Sequence, residues 1–369
     1  MRLEHAAPAL FTLAWGLGRL FIADAPGLSP REALAAVAWD AGAPSVGAGL
    51  AAGSVWLFGA TELGVRALGV VLQSLAFGAL AWGRPLTALL LLGTPGLSVE
   101  AVEVGELPAL TALWAVGLVV LRGPWAWALL PLSLGMLQLG LAGGLGLWDP
   151  AVEGLTSAFD RGVVLWLGAL PRIGPLGLIT LAVALAGAPG RWLMVVWLSA
   201  LTLAAGLGEV SPALFAPAWV TLAWSAQSAG PRTRRLAGLG ALSGLAFGLW
   251  TLSQQREADG AGLFGDERRV GPSLGGSISA WGVSPVLCAR WEHAALSRFY
   301  GGVDAYSLTP GAPLAWTGPL PQEALVVTPA GEAPLVGVET RLGSGEVVLR
   351  RGDRVLGSVT VRHARGLSW

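Results

Sequence analysis

The amino-acid sequence predicts a mostly α, polytopic membrane bundle of about nine transmembrane helices, followed by a small C-terminal α/β domain. Hydrophobic residues make up 54% of the chain and charged residues only 12%, whereas about a quarter of the residues in an ordinary soluble domain are charged. Mean hydropathy is correspondingly high, at +0.63. Charges are scarce before Gln254 and clustered after it, so we expect a transmembrane domain at 1–252 and a water-facing domain at 253–369.

The individual spans follow from the long apolar runs, because a helix needs about 20 apolar residues to cross the hydrocarbon core of a bilayer. Two of the runs are short, which is why the count is given as about nine. The predicted spans are 8–23, 64–82, 86–98, 107–121, 124–147, 173–187, 192–207, 212–227 and 236–252.

Arginine placement predicts the orientation, since short cytoplasmic loops collect positive charge. If every span is real, the arginines between alternate spans all lie on one side; these are Arg2, Arg84, Arg122, Arg191, Arg232, Arg234 and Arg235. We therefore expect a multi-pass protein of the bacterial inner (cytoplasmic) membrane. Its N-terminus would be cytoplasmic and its C-terminal domain periplasmic.

The C-terminal region has mixed periodicity. Residues 290–300 place Trp291 and Phe299 on one apolar side of a helix. The runs at 324–327, 334–340, 346–350 and 354–361 alternate or are β-branched, as strands are. Arg351-Gly352-Asp353 would form the turn of the last hairpin.

Composition also excludes several classes of function. The formal net charge is zero, which gives no general electrostatic attraction for nucleic acid. Cys288 is the single cysteine, which excludes a disulfide within the chain and a cysteine metal cluster. With three histidines in the chain, a histidine-rich metal site is not expected either. We expect no cofactor, with weak binding of Mg²⁺ or Mn²⁺ by scattered carboxylates left open.

Carboxylates and arginines recur where predicted outer loops meet helices. Three acidic residues lie beside a proline where an outer loop meets a helix; these are Glu32, Glu106 and Glu209. Asp40 lies on the same predicted outer face. The basic residues predicted at the same level are Arg31, Arg66, Arg161 and Arg172. Such a set suits transfer of a sugar from a lipid phosphate, with a carboxylate accepting the acceptor's proton and arginine forks holding the phosphate. The alternative is that they are helix caps, salt bridges and topology signals.

Three stretches resemble the GT-C family of polytopic glycosyltransferases, which use polyprenyl-phosphate sugars and include the protein O-mannosyltransferases and the lipid A aminoarabinose transferases. Leu57-Phe58-Gly59 and Val65-Arg66 match the turn and the opening of the family's second helix, and Glu32 falls on the second acid of an Asp-Glu pair. Glu106 with Pro108 resembles a Thr-Pro-Asp-Ala-Pro segment. The run at 284–302 resembles the opening of the family's periplasmic domain.

This resemblance implies an inverting transfer of sugar from a polyprenyl-phosphate donor to a periplasmic lipid, glycan or protein acceptor. Glu32, helped by Glu106 or Asp40, would be the base, while Arg66 and also Arg161, Arg172 or Arg31 would bind the donor phosphate. Two departures favour an alternative. Arg31 stands where the family has its catalytic Asp, and the Asp-His-Pro-Pro box is reduced to 42–45, Gly-Ala-Pro-Ser. The alternative is a catalytically degenerate relative that binds a lipid-linked glycan or a protein in an envelope assembly.

Two of these residues also have local structural interpretations. Glu32 suits the N-terminal turn of an amphipathic helix at 31–39, where a carboxylate is favoured by the helix dipole. Arg66 is four residues after Glu62, the spacing of an ion pair along one helix face.

Overall fold

The structure is a computed structural model, which describes residues 3–20, 28, 30–39, 45–98, 106–121, 123–142, 157–174, 191–207, 212–256, 270–310, 312–351 and 354–368. The helices within these residues are α1 (Leu3–Gly18), α2 (Pro30–Ala38), α3 (Val46–Phe58), α4 (Glu62–Ala81), α5 (Pro85–Gly93), α6 (Pro95–Ser98), α7 (Glu106–Val120), α8 (Leu129–Ala142), α9 (Ala158–Ile173), α10 (Arg191–Leu207), α11 (Ala216–Ala226), α12 (Pro231–Arg256), α13 (Val270–Ser279) and α14 (Trp291–Gly301). Short 3₁₀ turns at Gly123–Ala128 and Pro212–Phe215 precede α8 and α11.

Capping side chains explain where several helices begin. Ser45 Oγ accepts a hydrogen bond from Ala48 N at 3.0 Å, and Thr61 Oγ1 accepts one from Gly64 N at 2.9 Å. These hydroxyls satisfy N–H groups that have no partner within the helix. Between the two helices the chain turns at Gly59, whose φ of 87° is readily adopted only by glycine, so α3 and α4 form a tight hairpin.

The helix α4 lies at the centre of the first helical layer, packed against α1, α3 and α7. Small residues allow this close packing, because a Cβ on Gly16 of α1 would overlap the Ser74 side chain of α4. A second group of helices, α5, α7 and α9 to α12, encloses an aromatic core in which Trp114 and Trp197 pack edge to face at 5.4 Å between ring centroids.

The C-terminal strands are β1 (Val286–Cys288), β2 (Ala305–Ser307), β3 (Glu323–Pro329), β4 (Gly337–Arg351) and β5 (Arg354–Ser368). They form one sheet in the order β2-β1-β3-β5-β4. Strand β1 is parallel to β2 and β3, whereas β5 is antiparallel to β3 and β4. The predicted C-terminal helix and hairpin strands therefore occur in the structure, whereas the predicted turn residues 352 and 353 lie outside the described part.

The prediction of a bundle of nine transmembrane helices is wrong. Among the described helices, only Glu62–Ala81 is long and apolar enough to cross a membrane, with 20 residues and a mean hydropathy of 1.7. Even in this helix, 67% of the most apolar stretch is buried inside the protein, as in a core helix. The other apolar helices, Val46–Phe58, Leu107–Val120 and Arg191–Ala204, are shorter.

The apolar runs were interrupted where hydropathy alone does not register a break. Thr94 separates Pro85–Gly93 from Pro95–Ser98, and a 3₁₀ turn occupies the start of the predicted span at 124–147. Many of the helices found within the predicted spans have only 9 to 17 residues. At about 1.5 Å per residue they are about 14–26 Å long, which is shorter than a hydrocarbon core of about 30 Å. The expected multi-pass inner-membrane topology, with a cytoplasmic N-terminus and a periplasmic C-terminal domain, is therefore corrected as well.

A shared hydrophobic cluster joins the first helices to the C-terminal sheet. It combines Leu34 of α2 and Val65 of α4 with Leu274 of α13, Ala295 of α14 and Val327 of β3. The chain segment between the two parts, predicted as a boundary near 253, lies largely outside the described residues. Packing of α14 on α2 brings together the polar side chains described next.

Candidate functional site

The candidate site lies where α2, α4 and α14 meet. Pro30 opens α2 at a position where its missing N–H is not needed, and Glu32 follows in the first turn. Arg66 lies in the second turn of α4, on the side that faces α2. The sequence interpretation had selected both residues individually.

Glu32 and Arg66 form a buried, bidentate ion pair. Arg66 Nε donates to Glu32 Oε1 at 2.7 Å, and Arg66 Nη2 donates to Glu32 Oε2 at 2.8 Å. Each side chain is 1% exposed. Fork-to-fork geometry gives a guanidinium–carboxylate pair its strongest hydrogen bonds, so each charge neutralises the other away from water.

Glu62 has a different partner from the one that its i, i+4 spacing suggested. Its Oε1 accepts a hydrogen bond from the Tyr300 hydroxyl at 2.9 Å. The same Tyr300 oxygen accepts a hydrogen bond from Leu28 N at 2.7 Å. Tyr300, near the end of α14, therefore links the chain before α2 to the first turn of α4.

Burial raises the pKa of the Tyr300 hydroxyl well above its usual value, and the neighbouring Glu62 carboxylate raises it further. The hydrogen bond from Leu28 N and the positive charge of Arg66 oppose this effect. Tyr300 is consequently a neutral phenol that donates to Glu62. The sequence interpretation missed its role, although Tyr300 belongs to the Phe-Tyr pair that carried part of the family resemblance.

Arg161 and Arg172 lie elsewhere in the molecule. Both belong to α9, which packs mainly against α6, α10 and the 3₁₀ turn at Pro212–Phe215. Arg172 donates from Nη1 to Gly168 O in its own helix, and its side chain packs against Gly96 of α6. The structure therefore does not bring these two arginines to the Glu32–Arg66 pair.

The remaining predicted site residues are only partly described. Glu106 is the first residue of α7, which packs on α4 where Gly69 adjoins Pro108, and Arg31 lies in α2; the side chains of both are outside the described part. Asp40 also lies outside the described residues.

No group of three or more His, Cys, Asp and Glu side chains that could hold a metal ion occurs in the part of the chain that the structure describes. Cys288 is buried, and burial raises the pKa of its thiol to about 12. A thiol so protonated is neither a nucleophile nor a metal ligand at neutral pH. Weak divalent-cation binding stays a prediction.

Comparisons with protein-family models, with curated proteins and with solved structures gave no match.

Proposed function

We propose that this protein is a lipid-associated binding component that holds a polyprenyl-phosphate-linked sugar without transferring it. The observation that carries the lipid association is the orientation of side chains on the helices of the first 250 residues. Helices α1, α4 and α8 bury some polar side chains while exposing large apolar ones beside them, an arrangement that water does not favour.

Helix α1 illustrates the arrangement. Its inward face contains Thr12 and continues to Arg19, just beyond its end, and both side chains are buried. Its outward face carries Leu10, Phe11 and Leu17, of which the first two are 56% and 62% exposed. Water would favour the opposite orientation, whereas hydrocarbon favours this one.

Helices α4 and α8 repeat the pattern. In α4, Gln73 and Ser74 are buried, while Leu75 beside them is 54% exposed. In α8, Ser133 is buried between Leu132 and Leu134, which are both more than half exposed. An outward apolar face that recurs on separate helices supports lipid as the covering partner, because a single protein contact would use one patch.

Tryptophans near helix ends support the same partner. Trp56 at the end of α3, Trp125 in the 3₁₀ turn and Trp192 at the start of α10 are 83%, 73% and 61% exposed. Indole rings favour the boundary between lipid and water. In the C-terminal sheet, by contrast, the exposed side chains of β4 include Glu339 and Arg341, as expected of a surface in water.

The buried ion pair favours binding over transfer. A general base must come within hydrogen-bond distance of the acceptor hydroxyl, but both carboxylate oxygens of Glu32 accept from Arg66 and the side chain is 1% exposed. Because Arg66 directs Nε and Nη2 at Glu32, residues other than this pair would hold the donor phosphate. The resemblance to enzymes that use polyprenyl-phosphate sugars supports that class of ligand.

Flotation with phosphatidylcholine vesicles tests the lipid association. We expect the full chain to float with the vesicles and the double variant Leu72→Gln/Leu75→Gln to float less. The control Leu342→Gln alters an exposed leucine of β4 and should float like the wild type. A chain that stays monodisperse in buffer without vesicles or detergent would refute the proposal.

The glycan part is tested by binding of detergent-purified protein to a panel of polyprenyl-phosphate sugars. We expect saturable binding with no release of free polyprenyl phosphate when candidate acceptors are added. Release that depends on an acceptor would instead establish glycosyl transfer. Absence of binding across the panel would remove the glycan from the proposal and leave the lipid association to stand on the flotation result.

A further inference from the structure

Arg19 is a second buried arginine, and its surroundings differ from those of Arg66. Its side chain, just after α1, is 2% exposed. Nε donates to Gly16 O at 3.3 Å, Nη1 donates to Leu97 O at 3.0 Å and Nη2 donates to Ser74 Oγ at 3.4 Å. All three acceptors are neutral.

The two arginines provide an internal comparison. Arg66 is equally buried and has the Glu32 carboxylate as its counter-ion. Among the ion pairs of the described residues, none involves Arg19. A buried charge is strongly disfavoured unless it is paired. Among the residues that the structure describes, Arg66 has a carboxylate partner and Arg19 has none.

Hydrogen-bond donors are also in excess at this position. A guanidinium has five N–H donors, and the three contacts with described residues use three of them. Trp15 lies one helical turn before Arg19, and Arg19 N donates a hydrogen bond to Trp15 O at 3.2 Å, so the two side chains leave the same side of the chain. Its indole Nε1 is buried with no acceptor among the described residues.

We propose that Arg19 and Trp15 bind one phosphoryl anion. The anion would supply the missing negative charge and would accept from the two remaining guanidinium N–H groups and from the indole N–H. A tetrahedral phosphoryl group presents several oxygens to a planar guanidinium fork and still has one for a donor at a different angle. A carboxylate, with its two oxygens in one plane, satisfies the fork but not the indole.

The phosphoryl group belongs either to a lipid headgroup or to free phosphate. The first source rests on the lipid association proposed above, because α1, which ends just before Arg19, directs Leu10 and Phe11 outward. The second source does not rest on it. The experiment therefore begins with inorganic phosphate on the full chain in neutral detergent, where no lipid phosphate competes.

Thermal melting is measured against phosphate concentration, with chloride at matched ionic strength as the reference. We expect phosphate to raise the melting temperature of the wild type. Arg19→Gln should weaken the apparent affinity for phosphate at least about tenfold, as loss of a charge-assisted contact does. The matched control Arg235→Gln removes an exposed arginine and should respond to phosphate like the wild type.

Trp15→Phe keeps the proposal testable if Arg19→Gln does not fold. This variant removes the unpartnered N–H together with part of the ring while keeping an aromatic side chain, and we expect the phosphate affinity to fall about threefold with the fold intact. Unchanged affinity in Trp15→Phe, or equal stabilisation of Arg19→Gln and wild type by phosphate, would overturn the proposal. Arg19 would then serve only to bind the carbonyl groups at the ends of α1 and α6.

Vesicles distinguish the two sources. If inorganic phosphate stabilises the wild type, the free anion is a sufficient ligand. If only phosphatidylglycerol in phosphatidylcholine vesicles does so, and Arg19→Gln and Trp15→Phe lose that response, the headgroup is the ligand. No response to either probe would overturn the proposal, whereas failure to float with pure phosphatidylcholine would bear only on the lipid association.

Discussion

Arg66 donates from Nε and Nη2 to both carboxylate oxygens of Glu32, at 2.7 and 2.8 Å, and the two side chains are separated by 34 residues in sequence. The pair connects α2 to α4. Because each side chain is 1% exposed, each is the counter-ion that makes burial of the other tolerable.

Replacing Glu32 should therefore destabilise the fold. Glu32→Gln removes the negative charge that Arg66 contacts through both Nε and Nη2, and we expect the free energy of unfolding to fall by about 3–5 kcal/mol. Chemical denaturation measures the change. The double variant Glu32→Gln/Arg66→Met removes both charges and should recover much of the loss; a double variant less stable than Glu32→Gln would contradict this account.

An exposed ion pair in the same chain provides the control. Arg290 Nη2 lies 2.9 Å from Glu332 Oε1, with side chains 56% and 49% exposed. Solvent screens such a pair, so Glu332→Gln should change the free energy of unfolding by less than about 1 kcal/mol. A loss as large as that of Glu32→Gln would mean that burial is not what distinguishes the two pairs.

The Tyr300 hydroxyl should contribute to the junction between the helices and the C-terminal sheet. Tyr300→Phe leaves Leu28 N without its acceptor and Glu62 without a donor, and we expect a loss of about 1–3 kcal/mol in unfolding free energy. Tyr306→Phe is the matched control, because no hydrogen bond of the Tyr306 hydroxyl occurs among the described residues. Equal effects of the two substitutions would argue against the link.

His293 should make the fold sensitive to acid. Burial of the ring, with the positive charge of Arg290 nearby, lowers the pKa of His293 to about 4, although Glu332 opposes the shift. Its unfolded pKa is about 6.5. The folded state therefore binds the proton less readily, so the stability due to neutral His293 is present above about pH 6.5 and is lost as pH falls towards 4.

The measurement is the unfolding free energy of wild type and His293→Gln between pH 8 and pH 4. A shift of this size corresponds to about 3 kcal/mol at most, and the difference between the two proteins should shrink by up to that amount as pH falls. Subtracting the two unfolding free energies cancels the contribution of the carboxylates, which titrate in both proteins. A difference that does not change with pH would exclude His293 as the cause.

The sequence predicted where helices occur better than how long they are. The amphipathic helix expected at 31–39 is α2, and most of the apolar runs contain a helix. The predicted helix lengths are wrong because hydropathy treats Pro85–Gly93 and Pro95–Ser98 as one apolar run. In the structure one helix ends before Thr94 and another begins at Pro95. Helix breaks depend on proline and on packing, and hydropathy measures neither.

The site was predicted residue by residue but not as an arrangement. The sequence predicts Glu32 and Arg66 as separate site residues, and the local i, i+4 spacing pairs Arg66 with Glu62. Packing of α2 on α14 and α3 places the carboxylate of Glu32 at Arg66 instead, while Glu62 accepts from Tyr300, 238 residues away. Contacts at such separations leave no periodic signal in a single sequence, so the pairing required the structure.

Two glycines of α12 should respond in opposite ways to alanine. Gly244 faces Gly93 of α5, and a Cβ at position 244 would overlap the Gly93 carbonyl oxygen. Gly238 lies earlier in the same helix, where the nearest atom to an added Cβ is Leu86 Cδ1 at 4.0 Å. The first position is therefore a close backbone contact, whereas the second is open.

We expect Gly244→Ala to lower the free energy of unfolding by about 1–3 kcal/mol, because α5 and α12 must move apart. Gly238→Ala should raise it by about 0.5–1 kcal/mol, since alanine loses less backbone entropy in a helix. Both are measured by denaturant unfolding in the same detergent. If both substitutions destabilise the protein to the same extent, the close contact between α5 and α12 is not what makes position 244 sensitive to an added methyl group.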